Sequence, residues 1–228
     1  MKARFHDRAA AGKALGEALA KMHFAHPPVV LALPRGGVPV AAEVARRLGA
    51  PLDLLLVRKI GVPWQRELAL AAVVDVDPPE LVIDEEVQLA AGADSAYLDK
   101  EMVIALDEIG RRRALYLSGR ASVPLAGRTA IVVDDGIATG TTVRAALRGL
   151  RRRHPAHLVL AVPVAPPDAV ARLRGEVDEL VCLDEPTPFH AVGVHYADFH
   201  QVGDDEVLAA LRSTVPGAAA PRQPRRSS

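Results

Sequence analysis

The chain has 228 residues, half of them hydrophobic, a single cysteine, and 28 basic against 28 acidic side chains. That is enough chain to bury a substantial core in one domain, while a formal charge of zero argues against a broad electrostatic grip on nucleic acid. One cysteine excludes an intrachain disulfide and a Cys-rich metal site, no apolar run reaches the ~20 residues that span a bilayer, and the amino terminus is charged rather than signal-like, so the cytoplasm is expected.

In chain order, a helix is expected over about 8–22, then β-α-β through 29–57. The run Val29-Val30-Leu31-Ala32-Leu33 reads as a strand buried on both faces, ended by Pro34-Arg35-Gly36-Gly37-Val38-Pro39 and followed by a helical pattern over 40–48. Leu54-Leu55-Leu56-Val57 reads as a strand that stops at two adjacent cations, Arg58 and Lys59, before a loop over about 61–68. A strand at 70–74, a turn at 75–79, an edge strand at 81–83 and a helical stretch from 84 come next. Over 95–117 the residues Leu98, Met102, Ala105 and Ile109 recur at helical spacing and predict a core-packing helix. Ile131-Val132-Val133 is a third buried-strand run; a helix to 153, a strand at 158–162, a helix at 167–173 and a strand at about 179–183 follow. Repeated β and α segments with short turns predict an α/β fold, a parallel sheet flanked by helices on both faces, with room for a small hood or insert.

Other features carry less. The arginine runs 111–113 and 151–153 fall at the carboxyl ends of expected helices, where cations favour the dipole and face water. His190, His195 and His200 recur every fifth residue, a spacing that scatters them around a helix or strand and argues against a metal triad. Cys182, within Leu180-Val181-Cys182-Leu183, reads as a buried strand residue. The tail over 214–228 is expected to be disordered, for it is rich in Pro and Arg and poor in apolar residues.

Chemistry concentrates where the third buried strand ends, in Asp134-Asp135-Gly136-Ile137-Ala138-Thr139-Gly140-Thr141-Thr142. Crevices of open α/β sheets form at the carboxyl ends of strands. Gly136 and Gly140 allow a tight turn and close approach to a ligand, and Thr139, Thr141 and Thr142 add hydroxyls beside the free amides of a helix start. Such a loop favours a phosphate. Asp134 and Asp135 would repel one; they suit sugar hydroxyls, or a cation held through water. A group with both a phosphate and a diol is a sugar phosphate. Arg35 beside Gly36 and Gly37, at another strand-to-helix turn, offers charge and backbone amides to a second anion.

The 131–142 run resembles the 5-phosphoribosyl 1-diphosphate (PRPP) motif of the phosphoribosyltransferase family, and Pro34-Arg35-Gly36-Gly37 is similar to that family's pyrophosphate loop in its Arg-Gly-Gly version. Arg58-Lys59 resembles the cation pair that precedes the mobile catalytic loop of adenine and orotate enzymes. The order of segments from Arg4-Phe5-His6-Asp7-Arg8 to Pro188-Phe189-His190-Ala191-Val192-Gly193 and Tyr196-Ala197-Asp198-Phe199 is similar to a bacterial group of phosphoribosyltransferases known from sequence, although Gln65 and Arg66 stand where that group has Asn and Pro. The resemblance implies a type I phosphoribosyltransferase domain over 1–213, a cis peptide between Pro34 and Arg35, and transfer of a 5-phosphoribosyl group to a nitrogen acceptor, a nucleobase by expectation. It implies that PRPP sits on Arg35, Gly36, Gly37 and 134–142, that Mg2+ is the cofactor, held with Asp134 and Asp135, and that Arg58 and Lys59 act on the leaving pyrophosphate beneath a closing 61–68 lid. Ala138 stands where 6-oxopurine enzymes place an acid, which argues against that proton-transfer route. Pro188, Phe189, Val192, Tyr196 and the 81–91 insert are candidates to line the acceptor pocket, with Phe189 and Tyr196 read first as core and Trp64 as either a base-stacking or a lid-packing residue. The partners implied are PRPP and a small-molecule acceptor, with no membrane; nucleic acid is disfavoured and a homodimer is left open. A non-catalytic PRPP or nucleotide sensor and a ribose-phosphate hydrolase are the rival readings.

Overall fold

The computed structural model describes residues 3–214 apart from Asp77, with the backbone alone for Arg66 and Glu67, so the tail expectation falls outside the described residues beyond Thr214. In chain order the elements are α1 (Arg8–Leu19), β1 (Pro28–Ala32), α2 (Gly37–Leu48), β2 (Leu52–Leu54), β3 (Val57–Val62), β4 (Gln65–Val74), β5 (Glu80–Ile83), α3 (Glu85–Ala91), α4 (Ser95–Leu117), β6 (Thr129–Val133), α5 (Thr141–Arg151), β7 (His157–Val164), α6 (Pro167–Leu173), β8 (Glu179–Asp184) and α7 (Asp204–Ser213). Asp7, Asp84 and Asp94 open α1, α3 and α4 by accepting from the amides of Ala10, Val87 and Tyr97, satisfying donors that a helix start leaves unpaired.

Five strands form the main sheet in the order β2-β1-β6-β7-β8, every neighbouring pair parallel. The apolar runs seen in sequence are its interior strands, and their alternate residues divide between two cores, as a period of two requires. Val30, Ala32, Ile131 and Val133 pack with α1 and α2 residues such as Leu15, Val38 and Val44. Val29, Leu31, Ala130 and Val132 meet Val143 and Leu147 of α5 and Val170 and Leu173 of α6. Helices therefore cover both faces, as expected.

The strands at 70–74 and 81–83 do not join that sheet. They belong to a second, antiparallel sheet in the order β3-β4-β5, whose Ile60, Leu70 and Val73 share the first core with Leu98 and Ile109 of α4, while Val74 packs against α5 at Gly149. This corrects the expectation of an irregular 61–68 loop. Val62 pairs with Gln65 around Pro63-Trp64, with register shifts on either side of Gly61, so the segment is a bulged hairpin tip. Trp64, 66% exposed there, packs no lid in this structure. The two arginine runs face water as expected, the Arg111 and Arg152 side chains being 64% and 65% exposed, and they also find partners. Arg113 pairs with Asp75 at 2.7 Å, Arg151 with Asp178 at 2.8 Å and Arg152 with Glu80 at 2.5 Å, because the folded chain brings distant acids to those helix ends. Helix α7, not expected from the sequence, lays Val207 and Leu211 into the first core.

Candidate functional site

From β1 the chain crosses through α2 to β2 on one side; from β6 it crosses through α5 to β7 on the other. The point where the winding reverses is therefore between β1 and β6, and a crevice opens there outside the carboxyl ends of the strands. Ala32 lies level with Val133, and the pairing runs one step further, from Leu33 N to Val133 O at 3.0 Å. Both glycine loops singled out in the sequence leave from this point.

After β1 the Pro34–Arg35 peptide is cis, and the amides of Gly37 and Val38 donate to Leu33 O and Arg35 O, each at 3.1 Å, carrying the chain straight into α2. The glycines are dictated by what lies opposite. A Cβ on Gly36 would stand 2.2 Å from Asp135 Oδ2, and one on Gly37 2.8 Å from Val133 O and 2.9 Å from Asp134 Cα. The two loops are thus in van der Waals contact.

Asp134 Oδ1 accepts from the Asp135 amide at 2.9 Å. Burial, and next the negative charge of Asp135, hold the Asp134 carboxyl well above the ordinary carboxylate range. Asp135 is balanced differently. Its Oδ2 accepts from Arg8 Nε at 2.8 Å, in a pair whose side chains are 14% and 9% exposed, and its carbonyl accepts from Tyr196 Oη at 2.5 Å. Arg8 also donates to His200 O at 2.8 Å and lies 3.9 Å over the Phe199 ring. Tyr196 is buried, and that burial pushes its phenol up.

Downstream, Gly136 fits tightly against Val192 and Val164. Ile137 donates its amide to Val164 O at 2.9 Å and is 2% exposed; it anchors the loop and is not free to meet a ligand. Ala138 and Thr139 are exposed. Gly140 adopts φ 78 as the N-cap of α5 without a side-chain cap, a left-handed conformation that favours glycine. The hydroxyls of Thr139 and Thr141 lie 3.5 Å apart. The first backbone bond of α5 runs from Arg144 N to Gly140 O at 2.8 Å, so the amides ahead of Arg144, those of Thr141 and Thr142 included, lack intrahelical acceptors. Free amides at the positive end of a helix suit an oxyanion.

Arg35 reaches the same opening from β1, with Nη1 3.6 Å from Asp204 Oδ1, an oxygen that also accepts from Tyr116 Oη at 2.5 Å. An open depression is lined by Arg8, Arg35, Gly36, Asp135, Phe199 and His200. Arg58 and Lys59 are not among its walls. They are exposed on β3, opposite Val73 and Ala72, and among the described residues their side chains take part in no hydrogen bond or ion pair. Phe189 stacks on His195 with ring centroids 5.5 Å apart.

The structure thus brings Gly36 and Gly37 against Asp134 and Asp135, with Arg35 at the same depression and the 136–142 loop running on from Asp135 into α5, and leaves Arg58 and Lys59 on a separate hairpin. Arg8 and Asp204 were missed by sequence reasoning. For Arg8 one local signal existed, a cation in the first turn of a helix, the end the dipole disfavours. Among the described residues no cluster of three or more His, Cys, Asp or Glu could by itself hold a metal. The Asp135 carboxylate, in the wall of the depression with the buried Asp134 carboxyl behind it, fits an ion that arrives on substrate phosphates and keeps water, as magnesium does.

Fold and site together define an α/β protein with glycine loops suited to an anion at the switch point of its sheet. Residues 2–198 match the family model of the phosphoribosyl transferase domain, and the chain belongs to that family. Proteins of Mycobacterium tuberculosis strains CDC 1551 and H37Rv, named as candidate phosphoribosyl transferases, are each 47% identical over 207 residues, covering 91% of this chain and 46% of the relative. The chain therefore spans about half the length of these curated relatives. The crystal structure of TT1426 from Thermus thermophilus superposes with a TM-score of 0.78 at 43% identity, covering 92% of this chain and 98% of that one. No helix among the described residues is long and apolar enough to cross a membrane.

Proposed function

We propose that the chain transfers the 5-phosphoribosyl group of PRPP to a nitrogen acceptor, a nucleobase in the first instance, and releases pyrophosphate. The observation that carries this reading is the contact of the two loops, with Gly36 against Asp135. An anion-binding turn and an acid pair that close together suit one ligand bearing pyrophosphate on the carbon next to its diol. The 5-phosphate would rest on the amides and hydroxyls of 138–142, the ribose hydroxyls would donate to Asp135 and Asp134, and the pyrophosphate would meet Arg35 and the Gly36 amide, since the Gly37 amide is held by Leu33 O. Asp135 and Asp134 would be the residues to hold Mg2+, which would supply positive charge to the leaving group.

In the reaction the acceptor nitrogen forms a bond to the anomeric carbon as the carbon–oxygen bond to pyrophosphate breaks, and the electron pair departs on the pyrophosphate oxygen. Arg35 and the Gly36 amide stabilise that charge where it develops, so catalysis is chiefly positioning and electrostatics, with no nucleophilic side chain. Arg58 and Lys59, exposed on β3 with no partner among the described residues, are cations that a departing pyrophosphate can recruit. Ala138 cannot exchange a proton with the acceptor, which favours acceptors that need none removed by the 138 side chain.

The test is isotope-labelled PRPP incubated with Mg2+ and a panel of nucleobases. Labelled nucleotide that appears only with a particular base supports the transferase. Base-independent ribose phosphate would mean hydrolysis, and tight binding without turnover would mean a sensor.

A further inference from the structure

Arg8 stands out once the rest of the site is accounted for. A buried arginine is rare unless paired, and a cation in the first turn of α1 opposes the helix dipole, so its position is costly to α1 and must be compensated elsewhere. The compensation lies wholly at the site. The guanidinium donates Nε to Asp135 Oδ2 and Nη1 to the carbonyl of His200, both at 2.8 Å, and rests its face on Phe199 at 3.9 Å. Three fastenings leave the planar fork one orientation. Asp135 needs that restraint. Its carboxylate is wedged against Gly36, with a second acid next to it in sequence, and like charges so placed push apart in a partly buried site. Among the described residues Arg8 is the one cation that forms an ion pair with either acid, since Arg35 is directed to Asp204.

We propose that Arg8 is a positioning residue, which holds Oδ2 of Asp135 so that the carboxylate keeps a fixed pose and offers its other oxygen, Oδ1, to a ribose hydroxyl. The inference rests on the PRPP reading of the site and deepens it. Arg8 acts on the sugar through Asp135 and contributes nothing specific to pyrophosphate. The strap over 196–200 takes part as well, since Tyr196 holds the Asp135 carbonyl while Phe199 and His200 hold Arg8.

The experiment measures dissociation constants for PRPP and for inorganic pyrophosphate, both with magnesium, on the full chain, on Arg8→Met and on Arg8→Lys, with a thermal melt to confirm folding. Arg8→Met is expected to weaken PRPP by about tenfold or more, the worth of one charge-assisted hydrogen bond, and to leave pyrophosphate within about twofold. Arg8→Lys keeps the charge and should recover part of the PRPP loss. Equal weakening of both ligands would show that Arg8 touches the pyrophosphate or merely raises local charge. Unchanged PRPP binding, or no recovery with Lys, would show a role confined to holding α1. Either result overturns the proposal. Should Arg8→Met fail to fold, Arg8→Lys decides alone: a single ammonium replaces the rigid fork that reaches Asp135 through Nε and His200 through Nη1, so PRPP but not pyrophosphate should weaken. If the unaltered chain binds pyrophosphate but not PRPP, the functional reading itself falls and this proposal falls with it; if it binds PRPP and the variants match it, this proposal alone falls.

Discussion

Substituting Gly36→Ala probes the contact on which the site is built. The added Cβ would lie 2.2 Å from Asp135 Oδ2 and 2.7 Å from its Cγ, whereas non-bonded carbon contacts are comfortable only at about 3.5 Å and beyond, so the carboxylate must retreat by roughly 1 Å. The obstructing atoms are the end of a side chain, and the backbone of β6 need not move. What gives way is the 2.8 Å bond from Arg8 Nε. A hydrogen bond to a charged group contributes about 1.5–3 kcal/mol, which corresponds to a loss of roughly ten- to a hundredfold in affinity if the same carboxylate pose receives the sugar. Titration calorimetry with PRPP and magnesium reads the change directly, and circular dichroism shows whether the fold persists. A folded Gly36→Ala protein with an unaltered PRPP dissociation constant would refute the reasoning, because the displaced carboxylate would then have no part in binding.

Other consequences are independent of the site. Gly110 lies inside α4, and a Cβ there meets nothing within 4 Å, so Gly110→Ala should stabilise the protein by about 0.5–1 kcal/mol through backbone entropy; a lower urea midpoint would contradict this. Burial pushes the Cys182 thiol up to about 11, so at pH 8 it remains protonated and should react slowly with a disulfide reagent until denaturant is added, whereas a fast native reaction would show the strand to be open. The Arg151 guanidinium beside Asp178, with the Leu158 amide, holds that carboxyl below its usual value. A depressed acid contributes stability that is present above its unfolded pKa of about 3.9 and is lost as pH falls through the folded value. The melting-temperature gap between the native chain and Asp178→Asn should therefore narrow from pH 6 toward pH 3, and a gap constant over that range would exclude the linkage.

The parts of the fold that could be read from sequence are those written in local pattern. Val29 to Leu33 and Ile131 to Val133 are unbroken apolar runs, and both proved to be interior parallel strands with the glycine turns at their carboxyl ends. The β3–β4 hairpin was harder. Arg58 and Lys59 are consecutive exposed residues that interrupt strand alternation, the pairing shifts at Gly61, and Pro63-Trp64 is not a usual hairpin turn, so the segment resembled a loop. Helix α7 has a legible start in Asp204-Asp205-Glu206 followed by Val207, Leu208 and Leu211, acids in a first turn ahead of an apolar stripe. The remaining site contacts had no local signature. Arg8 and Asp135 are 127 positions apart, and Arg35 meets Asp204 only because α7 returns to the mouth of the sheet. The paired arginines at 113, 151 and 152 likewise depend on partners that tertiary structure supplies.

The central claim is that a phosphorylated pentose carrying pyrophosphate is held between the Arg35 turn and the Asp134-Asp135 loop. Equilibrium binding of PRPP, with magnesium, to the unaltered chain and to Asp135→Ala tests it most directly. One saturable site per chain, weakened about tenfold or more in the folded variant, is the predicted result. Absence of PRPP binding, or equal affinity in both proteins, would contradict the account.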